Sequence, residues 1–155
     1  MRKIKFRGKV QFNGNHKFSG EWVYGYYRNN DNGNAFITET LDELDNYIFE
    51  ETEIDVNTLG QYTGLEDKNG KEIYEGDIVR LKMKYEDDED IIGAVKFGTF
   101  LHSKCREYTC YHYGYYIDYK WQDNTGYDLY EAFINISIEY CEVIGNIYDN
   151  PELLD

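Results

Sequence analysis

The sequence predicts a mostly β fold, and three observations carry that prediction. The chain of 155 residues contains 17 Tyr and 8 Phe but one Pro, and the flat rings of Tyr and Phe favour pleated strands. Apolar and polar residues alternate with period two in several segments. The stretch Leu59–Leu81 places Gly and Asn turn signals between apolar positions and then continues as an alternating strand. The length fits one domain, or a small domain with an appended lobe.

The N-terminal third contains three predicted strands. The first covers Lys3–Phe12 and is followed by a turn at Asn13–Asn15. Its apolar side consists of Ile4, Phe6, Gly8, Val10 and Phe12. Gly20–Tyr27 is the second strand, and the polar segment Arg28–Asn34 is a turn before a third strand that begins at Phe36. These strands predict a sheet in this part of the chain.

A short helix is predicted at Thr38–Phe49. Its apolar residues recur at intervals of three and four, and Thr40 with Glu43 forms a capping-box pattern. The apolar positions are Leu41, Leu44 and Ile48. This is the first of one or two short helices that the sequence predicts.

Within Leu59–Leu81, successive reversals are predicted at Gly60, Gly64, Asn69-Gly70 and Gly76-Asp77, because Gly and Asn adopt positive φ at little cost. Asp67–Gly70 is the predicted tip of a hairpin. The strand that follows, Ile78–Tyr85, directs Val79, Leu81, Met83 and Tyr85 inward. The acidic run Glu86–Asp90 is a solvated tip before a strand at Ile91–Phe97. That strand buries Ile91, Val95 and Phe97.

The C-terminal part is less regular. Cys105–Trp121 is rich in Tyr, and Gln122–Gly126 is a predicted turn. Tyr127–Phe133 fits one or two helical turns, after which Ile134, Ile136 and Ile138 alternate. Val143–Tyr148 is the last predicted strand, and Asn150-Pro151 begins a turn.

The charge and the cysteines restrict the function classes. The net charge is −14, whereas phosphate binding requires a basic surface, so direct nucleic-acid binding is not expected. The basic strip Met1–Lys9 is a local exception. We expect a cytoplasmic protein, since the chain lacks an apolar run that could span a membrane or act as a signal peptide. Cys105, Cys110 and Cys141 are expected to be reduced thiols.

Candidate chemical motifs favour structural interpretations. His102, Cys105, Cys110 and His112 could ligate zinc, but their spacing is poor for a tetrahedral site, and buried cysteines and edge histidines are favoured. Gly60–Gly64 lacks the Lys-Ser/Thr ending of a phosphate loop and is predicted to be a structural turn. We therefore predict no catalytic residue, no cofactor-binding residue and no bound metal or cofactor.

Three blocks of sequence resemble the YopX protein family, which occurs in bacteriophages and prophages of low-GC Gram-positive hosts. The blocks are Ile4–Arg7 with Gly20–Gly25, the whole of Leu59–Leu81, and Glu142–Leu153. Where the family often has an Asp-Pro pair before the central block, this chain has Asp55–Thr58.

The resemblance implies a mostly β protein with an SH3-type barrel in residues 58–155 and a β-rich lobe in residues 1–57. The family has no established activity, so it supplies no catalytic residues. We expect a set of residues in the central block to fix the fold, namely Tyr62, Gly64, Gly70, Gly76 and Asp77.

The function expected from these observations is a phage-encoded, non-enzymatic accessory protein that self-associates and contacts a host or phage protein. For the aromatic stretch Tyr108–Trp121, packing within the sheet is favoured, followed by a subunit interface and then by base stacking. The alternative function is an acidic decoy that imitates DNA and occupies a host DNA-binding protein. A metal-dependent enzyme or other hydrolase is the third hypothesis.

Overall fold

A computed structural model describes residues 4–11, 19–40, 49–82, 90–104, 109–119, 126–128 and 141–155. The chain divides into two compact units, Met1–Gly64 and Leu65–Asp155. The sequence placed the boundary after residue 57. The prediction of a mostly β fold is confirmed in the described residues, whose strands pair antiparallel.

Where the structure describes the first unit, four antiparallel strands pair in a closed order. They are β1 (Phe6–Val10), β2 (Trp22–Asn29), β3 (Ala35–Thr40) and β4 (Phe49–Glu66). β1 pairs with β2 on one side and with β4 on the other, while β3 joins β2 to β4. The first and the last of these strands, β1 and β4, pair with each other. The paired residues of β1 therefore have a neighbouring strand on both sides and form no free edge.

The core of this unit lies on the side that the odd-numbered residues of β2 and β3 share. Ala35, Ile37 and Ile54 are fully buried there. The partly buried residues around them are Phe6, Val23, Tyr27 and Leu59. Each buried isoleucine contributes about 2 kcal/mol to folding through the apolar surface that it removes from water.

Residues 56–59 of β4 have no partner in β1, because the register shifts between the pairs Lys9–Asp55 and Arg7–Gly60. The Asp55 carboxylate accepts the Asn57 backbone N–H at 3.0 Å. The Thr58 hydroxyl donates to the Asp55 carbonyl at 2.6 Å and accepts the Lys9 N–H at 2.8 Å. The side chains of Asp55 and Thr58 thus replace the missing ladder bonds, so this part of β4 forms a bulge held by hydrogen bonds.

Two predicted reversals in the first unit are wrong, and the predicted helix Thr38–Phe49 is contradicted at its two ends. Thr38 and Phe49, the ends of the predicted helix, lie in β3 and β4, where Thr38 pairs with Glu51; residues 41–48 lie outside the described residues. Gly60 and Gly64 do not reverse the chain but lie within β4, and Gly60 pairs with Arg7. β-branched Thr38 favours a strand, and the pairing with β4 prevails over the capping pattern.

The described residues of the second unit form the end of β4, six further strands and a C-terminal 3₁₀ helix. The elements are β5 (Glu72–Tyr74), β6 (Asp77–Leu81), β7 (Ile91–Lys104), β8 (Thr109–Asp118), β9 (Gly126–Asp128), β10 (Cys141–Asn146) and the helix Pro151–Leu154. Five of the strands form an antiparallel sheet in the order β10-β6-β7-β8-β9. The last strand therefore returns to lie beside the first strand of this sheet.

One face of this sheet carries a continuous core. Its buried members are Ile73, Val79, Leu81, Val95, Tyr115, Ile117, Cys141 and Val143. The predicted inward direction of Val79, Leu81 and Val95 is confirmed. Ile78, on the opposite face of β6, is fully buried as well, so this strand is covered on both sides.

The remaining differences from prediction lie at element ends. β2 continues to Asn29, and the turn after it spans Asn30–Asn34. Tyr127 and Asp128, predicted as helix, pair with β8 as part of β9, so the helix is wrong there. The predictions for Asn13–Asn15, Met83–Glu89, Gln122–Thr125 and Leu129–Ile138 lie outside the described residues. No helix in the described part of the chain has the length and apolar character that crossing a membrane requires.

Candidate functional site

Asp67 is a buried carboxylate of the central block that accepts three backbone hydrogen bonds. It is 4% exposed, and its carboxylate accepts the backbone N–H groups of Asn69 at 2.8 Å and Lys71 at 3.0 Å. Its second oxygen accepts the Val143 N–H at 3.0 Å. Burial acts to raise the pKa of Asp67, but these three hydrogen bonds outweigh it and lower the pKa. Asp67 therefore ties the hairpin tip to β10.

The other residues predicted to fix the fold occupy structural positions. Asp77 is 1% exposed and accepts the Tyr74 N–H at 2.8 Å. Tyr62 is buried, and its N–H donates to the Lys5 carbonyl at 2.8 Å. Gly64, Gly70 and Gly76 have φ angles of 89°, 78° and 84°, a range that favours glycine.

Cys141 is a buried thiol on β10. Burial, together with the nearby carboxylates of Asp67 and Asp77, raises the pKa of Cys141 to about 12. Because the thiolate is the nucleophilic form of cysteine, this residue stays protonated and unreactive near neutral pH. Its geometry is that of a small core residue.

Two neighbouring aromatic rings, Phe97 on β7 and Tyr113 on β8, are exposed and form what we call the ring surface. Phe97 is 46% exposed and Tyr113 is 73% exposed. Their ring centroids are 5.1 Å apart in an edge-to-face arrangement. The Phe97 ring also lies 4.8 Å from that of buried Tyr115. Such pairs attract each other through their ring quadrupoles, so the exposed rings are held against the core.

The register of β7 and β8 explains why the ring surface is exposed. Val95 lies opposite Ile117 and Phe97 opposite Tyr115, all on the core face. Val95 and Ile117 are fully buried, whereas Phe97, two residues further along β7, is exposed although its cross-strand neighbour Tyr115 is buried. The prediction that Phe97 is buried is therefore wrong, because alternation identifies a face and not the length over which that face is covered.

The opposite face of the same two strands is aromatic as well. Phe100 is 5% exposed and stacks on Tyr116 with a centroid separation of 4.8 Å. Gly98 and Gly114 face each other across the ladder between these positions. A methyl group on either glycine would meet no atom within 4 Å, so the stacking of Phe100 on Tyr116 does not depend on the missing side chains.

The basic strip of the N-terminus packs against aromatic rings of β2. The Arg7 guanidinium carbon lies 4.6 Å from the Trp22 ring centroid, and Arg7 is 4% exposed. Lys9 Nζ is 5.5 Å from the same ring, and Lys5 Nζ is 5.7 Å from that of Tyr24. The described part of the strip thus makes cation–π contacts within its own unit.

The candidate zinc ligands are only partly within the described residues. His112 lies on β8, where its ring packs edge-on against Phe100 with centroids 5.8 Å apart. Cys105 and the side chains of His102 and Cys110 lie outside the described residues. Among the residues that the structure does describe, no three His, Cys, Asp or Glu side chains converge as a metal site would require.

Comparison with known proteins places the chain in a family. The profile of the family described as "YopX protein" matches residues 5–155. The chain belongs to the YopX family. A comparison with curated proteins finds no match.

A solved structure resembles this YopX chain over its full length. It is the crystal structure of protein EF1440 from Enterococcus faecalis, with 21% sequence identity and a TM-score of 0.49. The similarity covers 100% of each chain.

Proposed function

We propose that this YopX-family protein is a non-enzymatic protein-interaction module, encoded by a phage and acting in the host cytoplasm, whose copies associate through the ring surface. The observation that carries the proposal is the exposure of Phe97 and Tyr113 beside the core of the second unit. Tyrosine and phenylalanine are enriched in protein interfaces, where a ring supplies contact area and a hydroxyl retains a polar partner.

The ring surface is suited to contact because it is held in place before binding. The Phe97 ring packs at 4.8 Å on Tyr115, which is 3% exposed and belongs to the core. An anchor that is already ordered loses little side-chain entropy on association. A two-fold arrangement would place Phe97 of one copy against Tyr113 of its partner, since a C₂ interface uses one surface twice.

An SH3-type barrel in residues 58–155 is part of this proposal. Two features of the second unit support it: the main sheet has five antiparallel strands, and the last of them, β10, pairs with the first, β6. Barrels of this type serve many unrelated functions, so the fold alone does not favour an enzyme.

The test replaces both exposed rings. The double variant Phe97→Ser/Tyr113→Ser is expected to weaken association at least about tenfold, because an aromatic anchor contributes on the order of 2 kcal/mol to an interface. The measurement is the molar mass by light scattering after size-exclusion chromatography, over a range of loading concentrations. Unfolding temperature verifies that the variant folds.

The matched control removes two exposed rings from the first unit, Tyr24 and Tyr26, which are 40% and 53% exposed. Tyr24→Ser/Tyr26→Ser is expected to associate like the wild type. Equal weakening by both pairs would contradict the assignment of the interface to the ring surface.

The acidic decoy is the second candidate, and the distribution of charge favours it. The first 28 residues carry seven basic residues and one acidic residue, whereas residues 29–155 carry nine basic and 29 acidic residues. A decoy would release a specific host protein from a duplex-DNA column, while polyglutamate of equal total charge would not. Release of the same host proteins by this protein and by polyglutamate would contradict the decoy hypothesis.

A further inference from the structure

The second unit contains a groove of about 560 Å³, which is within the ~300–1,000 Å³ range of ligand-binding clefts. Its wall includes even-numbered residues of β7 and the C-terminal 3₁₀ helix. Six apolar side chains line it, namely Ile91, Ile92, Ala94, Ile147, Leu153 and Leu154. The groove is therefore mainly apolar inside.

The close approach of the C-terminal segment to β10 shapes the groove. Gly145 makes that approach feasible, since a methyl group there would lie 2.7 Å from Asn150 Oδ1 and 2.9 Å from Leu153 Cδ1. Lys96, on the groove side, precedes Phe97 in an extended strand. Consecutive strand residues point to opposite faces, so the groove and the ring surface lie on opposite faces of the sheet.

The rim of the groove is acidic. Asp90, Asp118 and Asp155 line it together with one cation, Lys96. Lys96 forms an ion pair with Asp118, which raises the pKa of Lys96. The Arg80 Nε atom lies 3.9 Å from the Asp90 Oδ2 atom.

The surrounding charge has the same sign as this rim. The second unit, residues 65–155, carries 20 acidic and nine basic residues. A unit with this net charge repels anions and attracts cations, so phosphates and nucleic acids are unsuitable occupants of the groove.

We propose that the groove binds an extended peptide segment of a partner protein in which basic side chains flank a branched apolar side chain. The apolar side chain packs on Ile92, Ala94 and Leu154, while the flanking basic groups lie at the carboxylates of the rim. The geometry of a guanidinium fork matches a carboxylate with two hydrogen bonds. This inference rests on the proposed interaction function and names the class of partner for a second surface of the same unit.

The probe is a fluorescein-labelled, amidated pentapeptide of alternating arginine and leucine, titrated with the full-length protein and followed by fluorescence anisotropy. A peptide of alternating arginine and glycine has the same charge and is expected to bind at least about tenfold more weakly, because it lacks the apolar side chains. Equal binding of the two peptides would overturn the proposal, as would efficient competition by spermidine, which carries charge alone.

Two pairs of variants separate the groove from diffuse attraction. Asp90→Asn/Asp155→Asn is expected to weaken binding about tenfold, whereas the matched pair Asp31→Asn/Glu66→Gln, at exposed positions outside the groove, changes it less than about twofold. Each pair removes two of the 30 carboxylates. Equal weakening by both pairs would show that the peptide follows only the overall field.

A gain in affinity provides an independent readout. Lys96→Met frees the Asp118 carboxylate and is expected to strengthen peptide binding several-fold, while Lys82→Met, outside the groove, leaves it nearly unchanged. Weaker binding by Lys96→Met would contradict the proposal. Phe97→Ser/Tyr113→Ser should keep its affinity for the peptide, so a failure of self-association and a failure of this site are separate results.

Discussion

Replacing Asp67 by alanine is expected to lower the free energy of unfolding by about 3–5 kcal/mol, because hydrogen bonds to a charged group contribute about 1.5–3 kcal/mol each and are not fully additive. The substitution removes the acceptor of three backbone N–H groups, those of Asn69, Lys71 and Val143. Because Asp67 is 4% exposed, water has little access to this position and does not replace the carboxylate as acceptor of the Val143 N–H. Urea denaturation followed by circular dichroism measures the loss.

Asn30 provides a matched control within the chain. Its side-chain oxygen accepts the N–H groups of Asn32 at 3.1 Å and Asn34 at 2.9 Å, the same spacing along the chain as at Asp67. Asn30 lies in an exposed turn and makes these bonds as a neutral acceptor, so Asn30→Ala is expected to cost less than about 1 kcal/mol. Similar costs for the two variants would contradict the special role of the bond to Val143.

The loss of stability in Asp67→Ala is expected to depend on pH. Because the folded-state pKa of Asp67 is lowered, its contribution is fully present above the unfolded pKa, at about 3.9, and is lost as the pH falls through the folded value. The difference in stability between the wild type and Asp67→Ala should therefore shrink below about pH 4. A difference that grows on acidification would contradict the direction of the shift.

Replacing Gly25 by alanine is expected to destabilise the first unit by about 3 kcal/mol or more, at the upper end of the cost of overpacking. A methyl group on Gly25 would lie 2.0 Å from the Thr38 carbonyl oxygen and 2.7 Å from its carbonyl carbon. These are backbone atoms of β3, which pairs with β2 at Tyr26. Relief would require the two strands to separate. Hydrogen exchange of the β2 and β3 amides measures the effect in the full-length protein.

Gly114 is the control for Gly25. It also lies within a strand, but a methyl group there would meet no atom within 4 Å. Gly114→Ala is expected to change stability by less than about 1 kcal/mol, and alanine lowers the entropy of the unfolded chain. Comparable losses at both positions would indicate that backbone freedom, rather than the close approach of β3, makes Gly25 necessary.

The sequence predicts those parts of the fold that local signals determine. The alternation around Val79 and Leu81 indicates the buried face of β6, and Asp67–Gly70 contains enough turn formers to predict a hairpin tip. Gly60 and Gly64 are more ambiguous as turn signals. Glycine also occurs inside strands where backbones approach closely or a bulge forms, and composition alone does not separate these uses from a turn.

Long-range contacts account for what the sequence did not predict. Asp67 finds its third hydrogen-bond partner 76 residues away at Val143, and no pattern near either residue indicates this pairing. The exposure of Phe97 depends on where the core of the sheet ends, which is decided by other strands. The groove likewise depends on the C-terminal segment packing near Lys96 and Asp118.

Association of the copies through the ring surface, despite their charge, is tested most directly by sedimentation equilibrium across a range of salt concentrations. Each copy carries a net charge of −14, so the copies repel each other at low ionic strength, and salt screens this repulsion. We therefore expect association of the wild type to strengthen about tenfold or more between ~20 mM and ~300 mM salt, and to be much weaker at every salt concentration in Phe97→Ser/Tyr113→Ser. A wild type that remains monomeric at all salt concentrations, or that dissociates as salt is added, would contradict the account.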